Sequence, residues 1–292
     1  MPYLTATLAL LLSAATPDSP RIESLRGDAA VLVGTSCNVV VLRGTDGLLL
    51  VDDQRSGDYA ETRDLLATTY RLPVRMIVDT HWHLDHAGGN ALFAAAGAQV
   101  IAQRNVRKRL SEPQYMTAYQ KLIPASPPAA WPARRFNSAL TLRFGNDLVR
   151  LVHVAHAHTD GDTIVRLEHA NVLHLGDLYF GGMFPFIDLS SGGSIQGYLR
   201  ALDVAIAMSD DATLVVPGHG PVGRRQDLLA YRAMLAAVSS DVRTRVLRGE
   251  TLARILSARP AGRYHLEGDE DRFVAAVYAG WAKPSPASTN KQ

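Results

Sequence analysis

The amino-acid sequence predicts a mixed α/β (α+β) fold, in which sheets pack on each other and helices cover the outside. Short runs rich in β-branched residues alternate with longer amphipathic stretches along the chain, and this pattern is typical of strands interleaved with helices. The elements fall into two halves of similar content, which favours layered sheets with outer helices. No linker-like stretch divides the 292 residues, so one large domain is expected.

In the first half, β-branched and apolar runs predict strands, and Asp46-Gly47 predicts a hairpin turn between two of them. The predicted strands are residues 29–35, 38–44, 48–53, 74–80 and 98–102. Helices are predicted at residues 59–70 and 88–96. Five prolines between positions 113 and 132 indicate that residues 111–138 form a long irregular excursion.

In the second half, four apolar runs follow one another closely and predict consecutive strands. These strands are residues 139–145, 148–154, 163–169 and 171–177. A further strand is predicted at residues 213–218, between helices at residues 195–208 and 226–247.

The N-terminal residues resemble a targeting segment. Residues 3–15 are apolar and uncharged, and Ser13 and Ala15 fit the small-x-small pattern that precedes signal-peptide cleavage. No Lys or Arg precedes the run, so a hydrophobic N-terminal helix or a wrong start codon stays open. We expect residues 1–15 to be a signal peptide, residues 16–283 one catalytic domain that is periplasmic or secreted, and residues 284–292 a disordered tail.

Composition excludes several classes of protein. The net charge of +2 gives no broad basic surface for nucleic acid, and the apolar N-terminal run is too short for stable membrane insertion. The single cysteine, Cys37, excludes an internal disulfide framework and a multi-cysteine zinc site. We interpret Cys37 as a small buried hydrophobic residue.

The stretch THWHLDHAGGN, residues 80–90, places three histidines and an aspartate within six positions. His81, His83, Asp85 and His86 follow directly after a predicted buried strand. Side chains two apart point to opposite faces of a strand and lie about 200° apart on a helix, so only an irregular loop lets one metal bind His81 and His83 together. Only 10 of 292 residues are histidine, so chance clustering is a poor explanation.

Further ligands have to come from other loops, because zinc usually has four ligands and a catalytic zinc keeps one for water. Three predicted strand ends carry suitable residues. They are the stretch HAHTDGD at residues 156–162, Asp177 in LHLGDL, and His219 in VVPGHG. Loops at one edge of a sheet can converge on one point.

The ordered set HxHxDH, HT, GD and PGHG resembles the metallo-β-lactamase superfamily over about residues 29–225. In this sequence the set corresponds to residues 81–86, 158–159, 176–177 and 217–220. The resemblance implies a four-layer αββα sandwich with a dinuclear metal site at one edge of the sheets. It also implies that His81, His83 and His158 bind the first metal, that Asp85, His86 and His219 bind the second, and that Asp177 bridges them. Two Zn²⁺ ions suit these mixed ligands, and iron or manganese would also be accepted.

The remaining histidines have other interpretations. The HT pattern selects His158 over its neighbours, while His156 either faces substrate or is an exposed loop residue. We interpret His153 as a strand residue without a catalytic role. His169, His174 and His265 match no motif, and we interpret them as structural or exposed.

For a dinuclear site the expected chemistry is hydrolysis of an amide, ester or thioester-type carbonyl bond in a small molecule. A hydroxide bridging the metals would be the nucleophile, and Asp85 would orient it and accept its proton. β-Lactams are candidate substrates, as are lactones and thioesters. Two alternatives stay open: an iron-dependent dioxygenase of sulfur metabolism on the same scaffold, and a metal- or partner-binding protein without activity. The serine-rich stretches have no patterned base, which argues against a Ser-His-Asp enzyme.

The substrate pocket is predicted in the apolar stretch YFGGMFPF that follows Asp177. Tyr179, Met183 and Phe184 are predicted to contact substrate, together with His156, and Phe180 and Phe186 share their apolar character. Two or three of these aromatic side chains are equally suited to packing in the core. The sequence does not indicate an oligomeric state.

Overall fold

Two large β-sheets form the centre of the fold in the computed structural model, which describes residues 19–282. The strands in the first half of the chain are β1 (Arg21–Arg26), β2 (Ala29–Val33), β3 (Asn38–Arg43), β4 (Leu48–Val51), β5 (Val74–Val78), β6 (Gln99–Gln103), β7 (Gln114–Met116), β8 (Lys121–Ile123) and β9 (Arg134–Phe136). They are followed by β10 (Ala139–Phe144), β11 (Asp147–His153), β12 (Thr163–Leu167), β13 (Val172–His174), β14 (Leu214–Val216) and β15 (Gly223–Arg224).

The α-helices lie in the connections between strands and after the last of them. They are α1 (Tyr59–Tyr70), α2 (Asn90–Ala95), α3 (Arg104–Ser111), α4 (Ile195–Ala207), α5 (Arg225–Leu247), α6 (Leu252–Ser257) and α7 (Glu270–Trp281). The first sheet has the order β1-β2-β3-β4-β5-β6-β9, and the second has the order β10-β11-β12-β13-β14-β15. β7 and β8 form a separate two-stranded hairpin.

The hydrophobic core divides into layers that define the architecture. Between the sheets, Val40 and Leu49 of the first sheet belong to one buried cluster with Leu151 of the second. The other face of the first sheet packs against α1 and α2, and the other face of the second sheet packs against α4 to α7. Side chains of a strand alternate between the two faces of its sheet. Since each face packs against another layer, both faces of each sheet are buried. The four-layer αββα arrangement implied by the sequence is therefore confirmed.

One edge of this sandwich collects the loops that carry the polar motifs. β4, β5 and β6 run parallel in the first sheet, so their C-terminal ends lie together, and β13 and β14 do the same in the second. Two backbone hydrogen bonds join the sheets here, from Asn38 N–H to the Gly218 carbonyl (2.8 Å) and from Thr163 N–H to the Thr80 carbonyl (2.9 Å). The loops after these strands are thereby held side by side.

Several elements differ from the sequence-based prediction. β4 ends at Val51 instead of residue 53, because Asp52 and Gln54 adopt left-handed backbone conformations with φ of 66° and 65°. The excursion at residues 111–138 contains β7, β8 and β9, and the sequence did not indicate β1, β15, α3, α6 or α7.

The predictions for residues 1–15 and 284–292 lie outside the described residues. Among residues 19–282, no helix combines the length and apolar character needed to cross a bilayer.

Candidate metal centre

Seven acidic and imidazole side chains meet at the loop edge in two adjoining groups. The first group is His81, His83, His158 and Asp177, and the second is Asp85, His86 and His219. In each group the potential ligand atoms lie within 4.8 Å of one another. All seven residues singled out as ligands in the sequence are therefore brought together, although they come from four separate loops.

The Asp177 carboxylate lies between the two groups. Its Oδ2 is 3.4 Å from His158 Nε2 and 3.9 Å from His81 Nε2. Its Oδ1 is 3.1 Å from His86 Nε2 and 3.3 Å from His219 Nε2. Each group thus faces a different oxygen of one carboxylate, which is the arrangement a bridging ligand requires.

Asp85 lies on the solvent side of the second group. Its Oδ2 is 3.4 Å from His219 Nε2 and 3.8 Å from His86 Nε2. The side chain keeps 25% of its surface exposed, whereas Asp177 keeps 5%. Asp85 is therefore more accessible than Asp177 to an incoming substrate and its water.

Hydrogen bonds at the outer ring nitrogens fix the direction of two imidazoles. His86 Nδ1 donates to Asp52 Oδ2 (2.8 Å), and His158 Nδ1 donates to the Phe186 carbonyl (2.8 Å). With a proton on Nδ1, the Nε2 lone pair of each ring points at Asp177 and is free for a cation.

His83 is held the opposite way round. Its Nε2 bonds to Asp188 Oδ2 (3.0 Å), so its Nδ1 faces the centre, 2.9 Å from His158 Nε2. Asp188 also accepts hydrogen bonds from Ser191 N–H (3.2 Å) and Ser190 N–H (3.0 Å). The one-turn helix Leu189–Ser191 thus orients the carboxylate that orients His83.

Asp52 is a residue that the sequence analysis missed. It accepts hydrogen bonds from Thr80 N–H (2.7 Å), from Thr80 Oγ1 (2.9 Å) and from His86, and it lies 3.2 Å from His174 Nε2. His174, which the sequence marks only as structural or exposed, is buried against it. The signal available for Asp52 was its position at a strand end, the same signal that pointed to Asp177.

The ionisation of the centre follows from burial and the opposing charges. Burial lowers the pKa of His158 to about 4 and holds the pKa of His81 well below its usual range. Burial would lower the pKa of His219 too, but Asp177 and Asp85 raise it to about 9. Burial would raise the pKa of Asp177, yet His86, His219 and His158 hold it well below its usual range. The carboxylate is thus ionised, and His81 and His158 are neutral ligands, at neutral pH.

Two buried polar atoms in the centre support the presence of a bound cation. Among the described residues, neither His81 Nε2 nor Asp177 Oδ1 has a hydrogen-bond partner. A buried polar atom without a partner costs about 1–3 kcal/mol, so such atoms require an explanation. The set of imidazole nitrogens and carboxylate oxygens fits zinc, and iron or manganese would also be accepted.

A cleft of about 620 Å³ opens onto the centre. Its walls include the ligands His83, Asp85, Asp177 and His219, and the other lining residues are Arg55, Trp82, Leu84, Met116, Tyr119, Lys121, Ile123, Phe180, Met183 and Phe186. Met183, which the sequence predicts to contact substrate, is one of these lining residues.

Tyr179, Phe184 and His156 were also predicted to contact substrate, and the structure corrects this prediction for all three. Tyr179 is buried against Tyr231, with ring centroids 5.1 Å apart, and Phe184 is buried against Phe273. Phe180 faces the cleft instead, since neighbouring side chains of an extended segment point to opposite sides. His156 is exposed away from the cleft, where its Nδ1 bonds to the Gly192 carbonyl (3.0 Å).

Comparison with known proteins gives one family. The sequence model of the metallo-beta-lactamase superfamily matches residues 32–219. A metallo-beta-lactamase type 2 of Bacillus cereus is 25% identical over 195 residues, which cover 66% of this chain and 70% of that protein.

Solved structures share the fold. A metallo-beta-lactamase from Pontibacter korlensis has a TM-score of 0.60 at 17% identity and covers 75% of this chain and 99% of its own. The sec-alkylsulfatase Pisa1 from a Pseudomonas species has a TM-score of 0.66 at 15% identity, covering 89% of this chain and 50% of its own.

Proposed function

Because the chain belongs to the metallo-β-lactamase superfamily, we propose that it is a dinuclear zinc hydrolase that cleaves an amide, ester or thioester-type carbonyl bond. The observation that carries this proposal is the position of Asp177, whose two oxygens face two different groups of ligands. A single-metal enzyme has no need for a carboxylate shared in this way. The relative from Bacillus cereus makes β-lactams the first substrates to test.

The residues of the chain have separate roles in the proposed reaction. His81, His83 and His158 would hold one divalent cation, Asp85, His86 and His219 a second, and Asp177 both. When bound, such a pair supplies water activation near neutral pH and polarisation of a carbonyl oxygen.

The protein itself supplies orientation, proton transfer and exclusion of water. Asp52 and Asp188 keep the donor nitrogens of His86 and His83 directed inward. Asp85, the more exposed carboxylate, accepts the proton that the nucleophilic water loses. Trp82, Phe180 and Phe186 limit access of bulk water to the substrate carbonyl.

The proposal is tested by loading the protein with zinc, measuring bound metal, and assaying a cephalosporin, a carbapenem, a lactone and a thioester. We expect about two metals per chain and chelator-sensitive hydrolysis of at least one substrate. Asp85→Asn should lower that rate strongly, and Asp211→Asn, a change at a carboxylate with 97% of its side chain exposed, should not.

Two outcomes would overturn the proposal. About one iron per chain, with oxygen consumption on a sulfur substrate, would favour the dioxygenase alternative. Full metal occupancy without hydrolysis of any of the four substrates would favour a binding protein.

A further inference from the structure

The hairpin β7–β8 forms one wall of the cleft and has two different faces. In its register, Met116 pairs with Lys121, and Tyr115 pairs with Leu122. Met116, Lys121 and Ile123 line the cleft, while Tyr115 and Leu122 remain 55% and 60% exposed. Because strand side chains alternate between faces, the register directs Lys121 and not its neighbour toward the substrate space.

Contacts to the rest of the domain hold this hairpin beside the metal centre. The ring of Tyr119, in the turn of the hairpin, lies 5.5 Å from that of Phe186, and the guanidinium of Arg272 lies 4.6 Å above Tyr119. Thr117 N–H donates to Ser190 Oγ (3.4 Å). Since Phe186 also accepts the hydrogen bond of His158 through its carbonyl, the hairpin rests on a segment tied to the metal ligands.

The cleft has apolar walls and two cationic side chains, Lys121 and Arg55, that form no ion pair within residues 19–282. Within residues 19–282, neither Lys121 nor Arg55 forms a side-chain ion pair or hydrogen bond, although both line the cleft. Asp85 and Asp177, the acidic residues of its lining, face the histidines of the metal centre. A cation beside apolar walls that partly exclude water binds an oxyanion more strongly than one in open solvent.

We propose that Lys121 selects substrates in which a single oxyanion is joined to an apolar, aryl-sized body. This inference rests on the proposed function, because it assigns the substrate class of the same cleft. The apolar body would contact Trp82, Phe180 and Phe186, and the oxyanion would contact the Lys121 ammonium. Arg55 provides a second cation on the cleft wall and reinforces the preference for an anion.

A pair of fluorescent probes tests the inference without any turnover. 8-Anilinonaphthalene-1-sulfonate carries an oxyanion, and N-phenyl-1-naphthylamine has the same aryl body without it. Dissociation constants of both are measured by fluorescence titration on the folded, zinc-loaded protein. We expect Lys121→Met to weaken binding of the sulfonate about three- to tenfold and to leave the neutral probe unchanged. Lys121→Arg should retain most of the sulfonate affinity.

Two further variants serve as matched controls. Lys108→Met removes an exposed lysine of α3, and Arg200→Met removes an exposed arginine of α4; neither residue lines the cleft. Neither should change the ratio of the two dissociation constants. The inference is overturned if Lys121→Met leaves that ratio unchanged, or if either control lowers sulfonate binding as much.

Failure of this inference and failure of the proposed function give different results. If Lys121→Met does not change the ratio of the two dissociation constants, and the protein still hydrolyses a carbonyl substrate, only the assigned substrate class is wrong. If the preference for the sulfonate probe depends on Lys121 but no substrate is hydrolysed, the cleft is selective for anions and the proposed hydrolase function is wrong.

Discussion

Asp177 is the residue that faces both groups of the candidate metal centre. Asp177→Asn preserves the shape of the side chain but removes one negative charge that faces four imidazoles. We expect metal content to fall below two per chain and kcat/KM to fall at least about 100-fold, since even changes around metal ligands cost about 10–100-fold. Elemental analysis and steady-state kinetics measure both. Two retained metals with near-normal turnover would contradict the bridging role.

His158 and His156 test the choice of ligand within one short loop. His158 Nε2 points at Asp177, whereas His156 is exposed and its Nδ1 bonds to the Gly192 carbonyl. We expect His158→Ala to lose metal from the first group, and His156→Ala to keep both metals with little change in rate. If His156→Ala loses metal and His158→Ala does not, His156 and not His158 belongs to the first group of ligands.

The convergence of the candidate ligands could be predicted from sequence, but the residues that orient them could not. The ligands stand in short motifs at strand ends, so their spacing is visible in the chain. Asp52 and Asp188 act on histidines 34 and 105 positions away, and no local pattern records such contacts. Tyr179 and Phe184 were misassigned because an aromatic residue near a metal motif suits the core and the cleft equally well.

At the scale of elements, helix α4 is positioned by the absence of a side chain at Gly197. A Cβ added there would lie 1.6 Å from the His156 carbonyl oxygen, so α4 packs directly on the loop that contains His158. We expect Gly197→Ala to destabilise the protein by about 1–3 kcal/mol through overpacking. The melting temperature should fall by about 2–4 °C per kcal/mol.

Gly57→Ala is the matched control for this prediction. A Cβ at Gly57 meets no atom within 4 Å, so the substitution should be neutral or slightly stabilising. Circular dichroism melts of both variants, in the same metal-loaded state, make the comparison. Equal melting temperatures for the two variants would show that α4 can move away from the loop at little cost.

The elements that the sequence did not indicate have weak periodicity or are short. β1 has an almost entirely exposed burial pattern, because within residues 19–282 it is an edge strand that pairs only with β2. The hairpin β7–β8 lies in a proline-rich region and has three residues in each strand. Its orientation over the cleft depends on Tyr119 and Phe186, which are far apart in sequence.

At the scale of the whole molecule, the buried strands made sheets packed on each other with outer helices predictable, whereas the four-layer arrangement was implied by the family resemblance. Strands such as β2 and β4 are continuous apolar runs, since the sheets are covered on both sides. Which sheet each strand joins follows from pairings such as that of β13 with β14, which are separated in sequence by 39 intervening residues (175–213). The resemblance of the motifs to a known superfamily supplied this information, and the local pattern of residues did not.

Metal removal tests whether the centre also joins the two halves of the fold. His81, His83, Asp85 and His86 follow β5 of the first sheet, whereas His158, Asp177 and His219 follow strands of the second. A cation that binds residues from both sheets is bound by the folded chain alone, so it stabilises that chain by about 2.7 kcal/mol at 100 times the dissociation constant. We therefore expect chelation followed by dialysis to lower the melting temperature by about 5–10 °C, and zinc to restore it. Asp177→Asn should respond less to both treatments, because its metal content is already reduced. Calorimetry that gives one melting temperature for the chelated and the zinc-restored wild-type protein would mean that the cations do not stabilise the contact between the sheets.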